Sequence, residues 1–154
     1  MQKLTLFIKN QMSFFWLPAA WICGVRVDSE ESNKCVVRVK LGFINKNPFK
    51  SLFWAVQGMA AEMPGGLLLQ NKIKNSGQNI AMLLVGSSSK FTKKAVGKIL
   101  FTYGNGELLD ELVNQAVKTK EAQTITIKTN GVDEKGDIVS EFSFNWSIKL
   151  RSKR

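Results

Sequence analysis

Three observations predict an α+β domain in which a curved antiparallel sheet wraps around one central apolar helix. The stretch from Leu52 to Met63 is apolar or small on every side except at Gln57 and Glu62, so it must be surrounded, not merely covered on one face. The segments before and after it alternate apolar and polar residues with the period of half-buried strands. Their order, two strands, the helix, two strands, an amphipathic helix and two strands, supplies enough sheet to enclose it.

The chain opens with LTLFIKNQMSFFWLPAAWICG, read as an amphipathic cover over residues 1–22. Lys9, Asn10 and Gln11 interrupt its apolar run, leaving fewer than the roughly 20 residues that a membrane span requires. No small-residue cleavage pattern follows an uninterrupted apolar core, which argues against a signal peptide. Phe14, Phe15, Leu17 and Trp21 are expected to hide an open face of the sheet, with a membrane-surface anchor as the alternative.

A strand from Gly24 to Asp28 and another from Cys35 to Ile44 are predicted next, joined through DSEESN. If that segment closes a hairpin, Asp28 lies opposite Lys34 and Cys35 opposite Val27, which leaves Cys23 too far along the strand to bridge Cys35. Two free thiols suit a reducing cytosol, so a cytoplasmic location is expected. Pro48 stops extended pairing, Ser51 caps the central helix, and Pro64 with Gly65-Gly66 ends it near Met63. The connection QNKIKNSGQN leads to a strand over IAMLLVGSS and, past a basic turn, to one in VGKILFTYGNG. GELLDELVNQAVKTK then forms an amphipathic helix, with its acids early and its lysines late to suit the helix dipole. Two long strands joined by EKG close the chain, and Phe142, Phe144, Trp146, Ile148 and Leu150 mark one buried face of the last. With no repeat or linker, one domain over residues 1–154 is expected.

The 22 basic and 12 acidic residues give a formal net charge of +10, spread over both halves, which favours a diffuse attraction for anions. The chain contains no histidine, which excludes a Ser-His-Asp triad, a Cys-His pair and any histidine zinc site. Two cysteines cannot build a structural zinc site, and no metal or cofactor is expected. Nucleic acid is not an expected partner, because Phe142, Phe144 and Trp146 alternate with Ser143 and Asn145 where a single-strand binder would carry charge. Glu62 is the residue that asks for an explanation. An ionised carboxylate in an apolar setting costs several kcal/mol unless it is paired or its pKa rises.

Asn47 before the helix, Glu62 within it and the small-residue pair Gly65-Gly66 after it carry a resemblance to hotdog-fold thioesterases of the phenylacetate-pathway type. That resemblance spans Gly24 to Arg151 and is closest to the uncharacterised thioesterase-like branch with Glu at the acid position. It implies an acyl-CoA or acyl-carrier thioesterase in which Glu62 is the general base or nucleophile. Asn47 would hold the carbonyl or the water, and the Trp54 amide would complete the oxyanion site. Phe53, Trp54, Ala55 and Gln57 are the implied substrate-binding residues. The family's His-Gly-Gly is replaced here by Phe53-Trp54-Ala55, so a non-catalytic acyl, fatty-acid or acyl-CoA binding protein is the alternative. The resemblance also implies a homodimer or a dimer of dimers with its sites between subunits. Lys90, Lys93, Lys94 and Lys98 would dock the phosphates of coenzyme A or the acidic helix of an acyl carrier protein.

Overall fold

Six strands, β1 (Arg26–Glu30), β2 (Cys35–Lys40), β3 (Ile80–Phe91), β4 (Lys98–Tyr103), β5 (Gln123–Val132) and β6 (Ile138–Leu150), join in one antiparallel sheet in the order β1-β2-β4-β5-β6-β3. The computed structural model describes residues 2–151; the end of the basic RSKR terminus lies outside them. Helix α3 (Trp54–Asn75) packs against the sheet, and the amphipathic helix α4 (Gly106–Thr119) packs against both. The predicted alternation of the last strand holds for Phe142, Phe144, Trp146 and Ile148, which are buried, while Leu150 at the strand end is only half-buried. This is the expected hotdog arrangement of a curved sheet around a helix.

The end of α3 differs from the expectation. The helix does not stop near Met63; it continues through Pro64 to Asn75. Proline removes one helical N–H and crowds the carbonyl four residues back, but tertiary contacts outweigh that local cost. Leu68 and Leu69 beyond it are fully buried, and the Thr129 hydroxyl donates to the Ala61 carbonyl at 2.9 Å. Gly65 and Gly66 serve close packing and not termination. A Cβ at Gly65 would stand 2.5 Å from Cγ2 of Ile127, and one at Gly66 would stand 3.5 Å from the Trp146 ring. Ser51 does not cap the helix. The N-cap is Phe53, with extended backbone and no side-chain cap, while Ser51 is held by Asn47.

The first hairpin is also in a different register. A bulge at Asp28 places Cys35 opposite Glu30 and Val27 opposite Val37, and Asp28 pairs with Arg38 at 2.9 Å. The second strand ends at Lys40, short of Ile44. Both cysteines are free. Burial, then the nearby Glu30 carboxylate, pushes the Cys35 thiol up to about 12. We therefore expect one fast equivalent, Cys23, in a native-state thiol titration at pH 8, and a second only after denaturation.

The N-terminal segment forms α1 (Gln2–Trp16) and α2 (Pro18–Ile22), but α1 does not cover the sheet with its aromatic residues. Phe15 and Trp16 are 73% and 77% exposed, and Phe14 and Leu17 are also exposed; of the four residues expected to be hidden, only Trp21 is half-buried. Instead the polar residues that interrupt the apolar run face the body. Asn10 pairs with the backbone of Val27 in both directions, at 2.9 and 2.8 Å, which satisfies the exposed edge of β1. Lys9 bonds the Glu30 carboxylate, which also accepts from Asn71 of α3 at 2.6 Å. These contacts latch α1 to β1 and α3. No helix among the described residues is long and apolar enough to cross a membrane.

Candidate functional site

Extending α3 past Pro64 brings Met59, Glu62, Met63, Gly66, Leu67 and Gln70 onto one face at the spacing of a helical stripe. That face looks across to the junction of α1 and α2. Between them lies a cavity of about 370 Å³, walled by this stripe, by residues 16–20, and by Met82 of β3 and Trp146 of β6. Its volume falls within the roughly 300–1,000 Å³ usual for small-molecule sites.

Glu62 stands in this wall, and its surroundings answer the question its sequence position raises. Among the described residues it has no hydrogen bond or ion-pair partner. Burial pushes its carboxyl above the ordinary carboxylate range, and no neighbouring charge or donor opposes that shift. A folded state that raises a carboxyl pKa is penalised above that pKa, and the penalty disappears below the unfolded value, near pH 4.3. Glu62→Gln should therefore melt at a higher temperature than the parent at pH 8, with the difference closing by pH 4. Calorimetry at the two pH values reads this directly.

The other residues expected at the site sit apart from Glu62 within one chain. Trp54 begins α3 eight residues earlier, about 12 Å along the axis at 1.5 Å per residue. Phe53 and Trp54 are 43% and 59% exposed and meet edge to face. The first amides of the helix, at Trp54 and Ala55, have no acceptor within it, while those of Val56 and Gln57 bond back to the Phe53 carbonyl. Asn47 organises the turn before the helix. Its Oδ1 accepts from the Phe49 and Ser51 amides at 2.9 and 3.1 Å, and its Nδ2 donates to Ser51 Oγ at 3.0 Å. Gln57 is buried; its Nε2 donates to the Leu52 carbonyl at 3.2 Å, and its Oε1 has no partner among the described residues.

Of the four lysines expected to dock phosphates, Lys93 is already committed to Asp133 and Asp137 at 2.7 and 2.6 Å. Its hydrogen bond holds the Asp133 carboxyl below the ordinary range. Lys94 reaches the Phe49 carbonyl at 3.3 Å, which ties the basic turn to the loop before α3.

The lining contributed by Trp16, Leu17, Met82 and Trp146 is not evident in the sequence. Trp146 is buried, yet its indole Nε1–H has no acceptor among the described residues. No cluster of possible metal ligands occurs among the described residues.

The model of the family described as a domain of unknown function, DUF4442, matches residues 8–148. No curated protein matches the sequence. Solved structures do. A Pseudomonas aeruginosa protein of unknown function described as a probable thioesterase is 19% identical, with a TM-score of 0.82 over 94% of this chain and 95% of that one. A Chlorobaculum tepidum protein of unknown function is 13% identical, with a TM-score of 0.79 over 97% of each chain. A Haemophilus influenzae thioesterase is 12% identical, with a TM-score of 0.65 over 97% of this chain and 93% of that one. At these identities the likeness establishes the fold.

Proposed function

The chain belongs to the DUF4442 family, and from that premise and the hotdog fold we propose that it is an acyl-CoA or acyl-carrier thioesterase with Glu62 as its general base. One observation carries the reading: a half-buried carboxyl group without a partner forms part of an apolar cavity wall. Stability gains nothing from such a group, whereas a proton acceptor with a raised pKa is suited to activating water near neutral pH. The two thioesterase-described neighbours point to the same reaction class.

In the proposed reaction the ionised Glu62 takes a proton from water as the water oxygen attacks the thioester carbonyl. The resulting oxyanion is held by the open Trp54 amide at the positive end of an α3 helix. Collapse of the tetrahedral intermediate breaks the C–S bond, and Glu62 returns its proton to the departing thiolate. A carboxylic acid and a thiol are the products. Asn47 fixes the turn that presents the helix end, since both its polar atoms are used there.

Because Glu62 and the start of α3 are too far apart to act together in one chain, the proposed site is shared across a homodimer. The edge strand β3 supports this: it is 12 residues long, pairs among the described residues only with β6, and exposes Leu83 and Val85. Such an edge is suited to pairing with its own copy. Lys90, Lys94 and Lys98 are left for coenzyme A phosphates or a carrier protein, Lys93 being occupied. Two free thiols favour a cytoplasmic location.

The exposed bulk of Trp54 at the helix start favours one alternative, a non-catalytic acyl-binding protein. A panel of acyl-CoAs separates the two readings. Free thiol released by the purified protein supports hydrolysis; no release from any substrate, with acyl-CoA bound in native mass spectrometry, supports binding alone.

A further inference from the structure

The cavity beside Glu62 does not end at the α1–α2 junction. A second cavity of about 480 Å³ shares Trp16, Leu17, Met63, Leu67 and Gln70 with it and runs on beneath α1 past Met12 and Val27. A third, of about 610 Å³, continues from Leu67 and Gln70 towards Asn71 and Lys74, where the walls turn polar. Together they form one long groove, mostly apolar in its first two parts though Lys9 and Ser13 join the wall of the second, with Leu67 and Gln70 common to all three.

We infer that the first two cavities seat an unbranched acyl chain, with its carbonyl beside Glu62 and Trp146 and its tail beneath α1. The inference rests on the thioester reading above for the identity of the head group. The chemistry of the walls supports it independently. Met59, Met63, Met82 and Met12 give flexible, unbranched surfaces that adapt to a mobile hydrocarbon. The Trp146 ring closes the head of the groove beside Glu62, and a hydrocarbon tail laid against these walls gains in proportion to the apolar area it buries. An amphiphile with one long tail and a polar head beside Glu62 matches these walls.

The lid over this groove is fastened by polar contacts as well as by the packing of Leu6 on the core. Asn10 with Val27, and Lys9 with Glu30, hold α1 in place, and Lys9 and Val27 also stand in the wall of the second cavity.

The test is equilibrium binding of saturated fatty acids from hexanoate to hexadecanoate, read by displacement of 11-(dansylamino)undecanoic acid. Affinity should climb roughly fourfold for each added methylene and level off where the apolar groove ends. Leu67→Trp, which narrows the shared middle, should move that plateau to shorter chains by several carbons. Leu17→Trp narrows the same point from the exposed lid and gives a second reading if the first variant folds poorly. Affinity independent of chain length, or a plateau unmoved in both variants, overturns the inference. Loss of the groove is distinguishable from loss of the thioester reading. A shifted plateau without hydrolysis of any acyl-CoA keeps the groove and removes the catalysis; hydrolysis with an unmoved plateau does the reverse.

Discussion

Glu62→Ala is expected to lower kcat/KM for the best acyl-CoA by about 100-fold to 10,000-fold, the range a positioned general base supplies. In free energy this is roughly 3–5 kcal/mol of transition-state stabilisation. The same substitution should not lower the melting temperature at neutral pH, because the carboxylate is half-buried without a partner among the described residues and its ionised form costs stability. Loss of rate without loss of stability separates a catalytic group from a structural one. A variant that loses both in parallel would place Glu62 in the packing of the helix instead.

Gly65→Ala is expected to destabilise the fold by about 2 kcal/mol, within the range for overpacking a core. Two terms compete. Alanine in place of glycine inside a helix gains about 1 kcal/mol, but the new Cβ would stand 2.5 and 2.9 Å from two carbons of Ile127. Ile127 is β-branched and completely buried, so it cannot rotate away, and the clash wins. Gly66→Ala provides the control, because its Cβ would meet the Trp146 ring at an ordinary 3.5 Å. There the helix-propensity gain is opposed by no clash, and stability should hold or rise. Thermal unfolding of the two variants side by side reads the contrast in sign.

Much of the architecture is legible in the sequence because it rests on periodicity. The alternation through β6 and the amphipathic stripe of α4 are local signals, and a helix apolar on all sides dictates a sheet that encloses it. The site is less legible for a reason that can be traced to three residues. Pro64, Gly65 and Gly66 read locally as a helix stop, whereas the helix runs on through Pro64 and the two glycines let α3 approach Ile127 and Trp146. With the helix ended at Met63, the stripe from Met59 to Gln70 is cut in half, and the face that carries Glu62 towards α1 disappears. The N-terminal segment misleads through its aromatic residues. Lys9 and Asn10 look like interruptions of an apolar cover, yet they are the groups that bind it to β1. Long-range pairing of this kind, with partners about 20 residues away in the chain, leaves no local periodic signal. Asn47 illustrates a further limit, since the spacing to Glu62 says nothing about the turn in which its side chain is engaged.

The pH dependence of kcat/KM for the parent beside Glu62→Gln tests the central claim most directly. If Glu62 is the base, the parent's rate should rise with pH along an acidic limb centred above the ordinary carboxylate range, because burial raises that carboxyl. Glu62→Gln should keep only a small residual rate without that limb. A Glu62→Gln protein that hydrolyses acyl-CoA at the parental rate, with the same limb, would contradict the account.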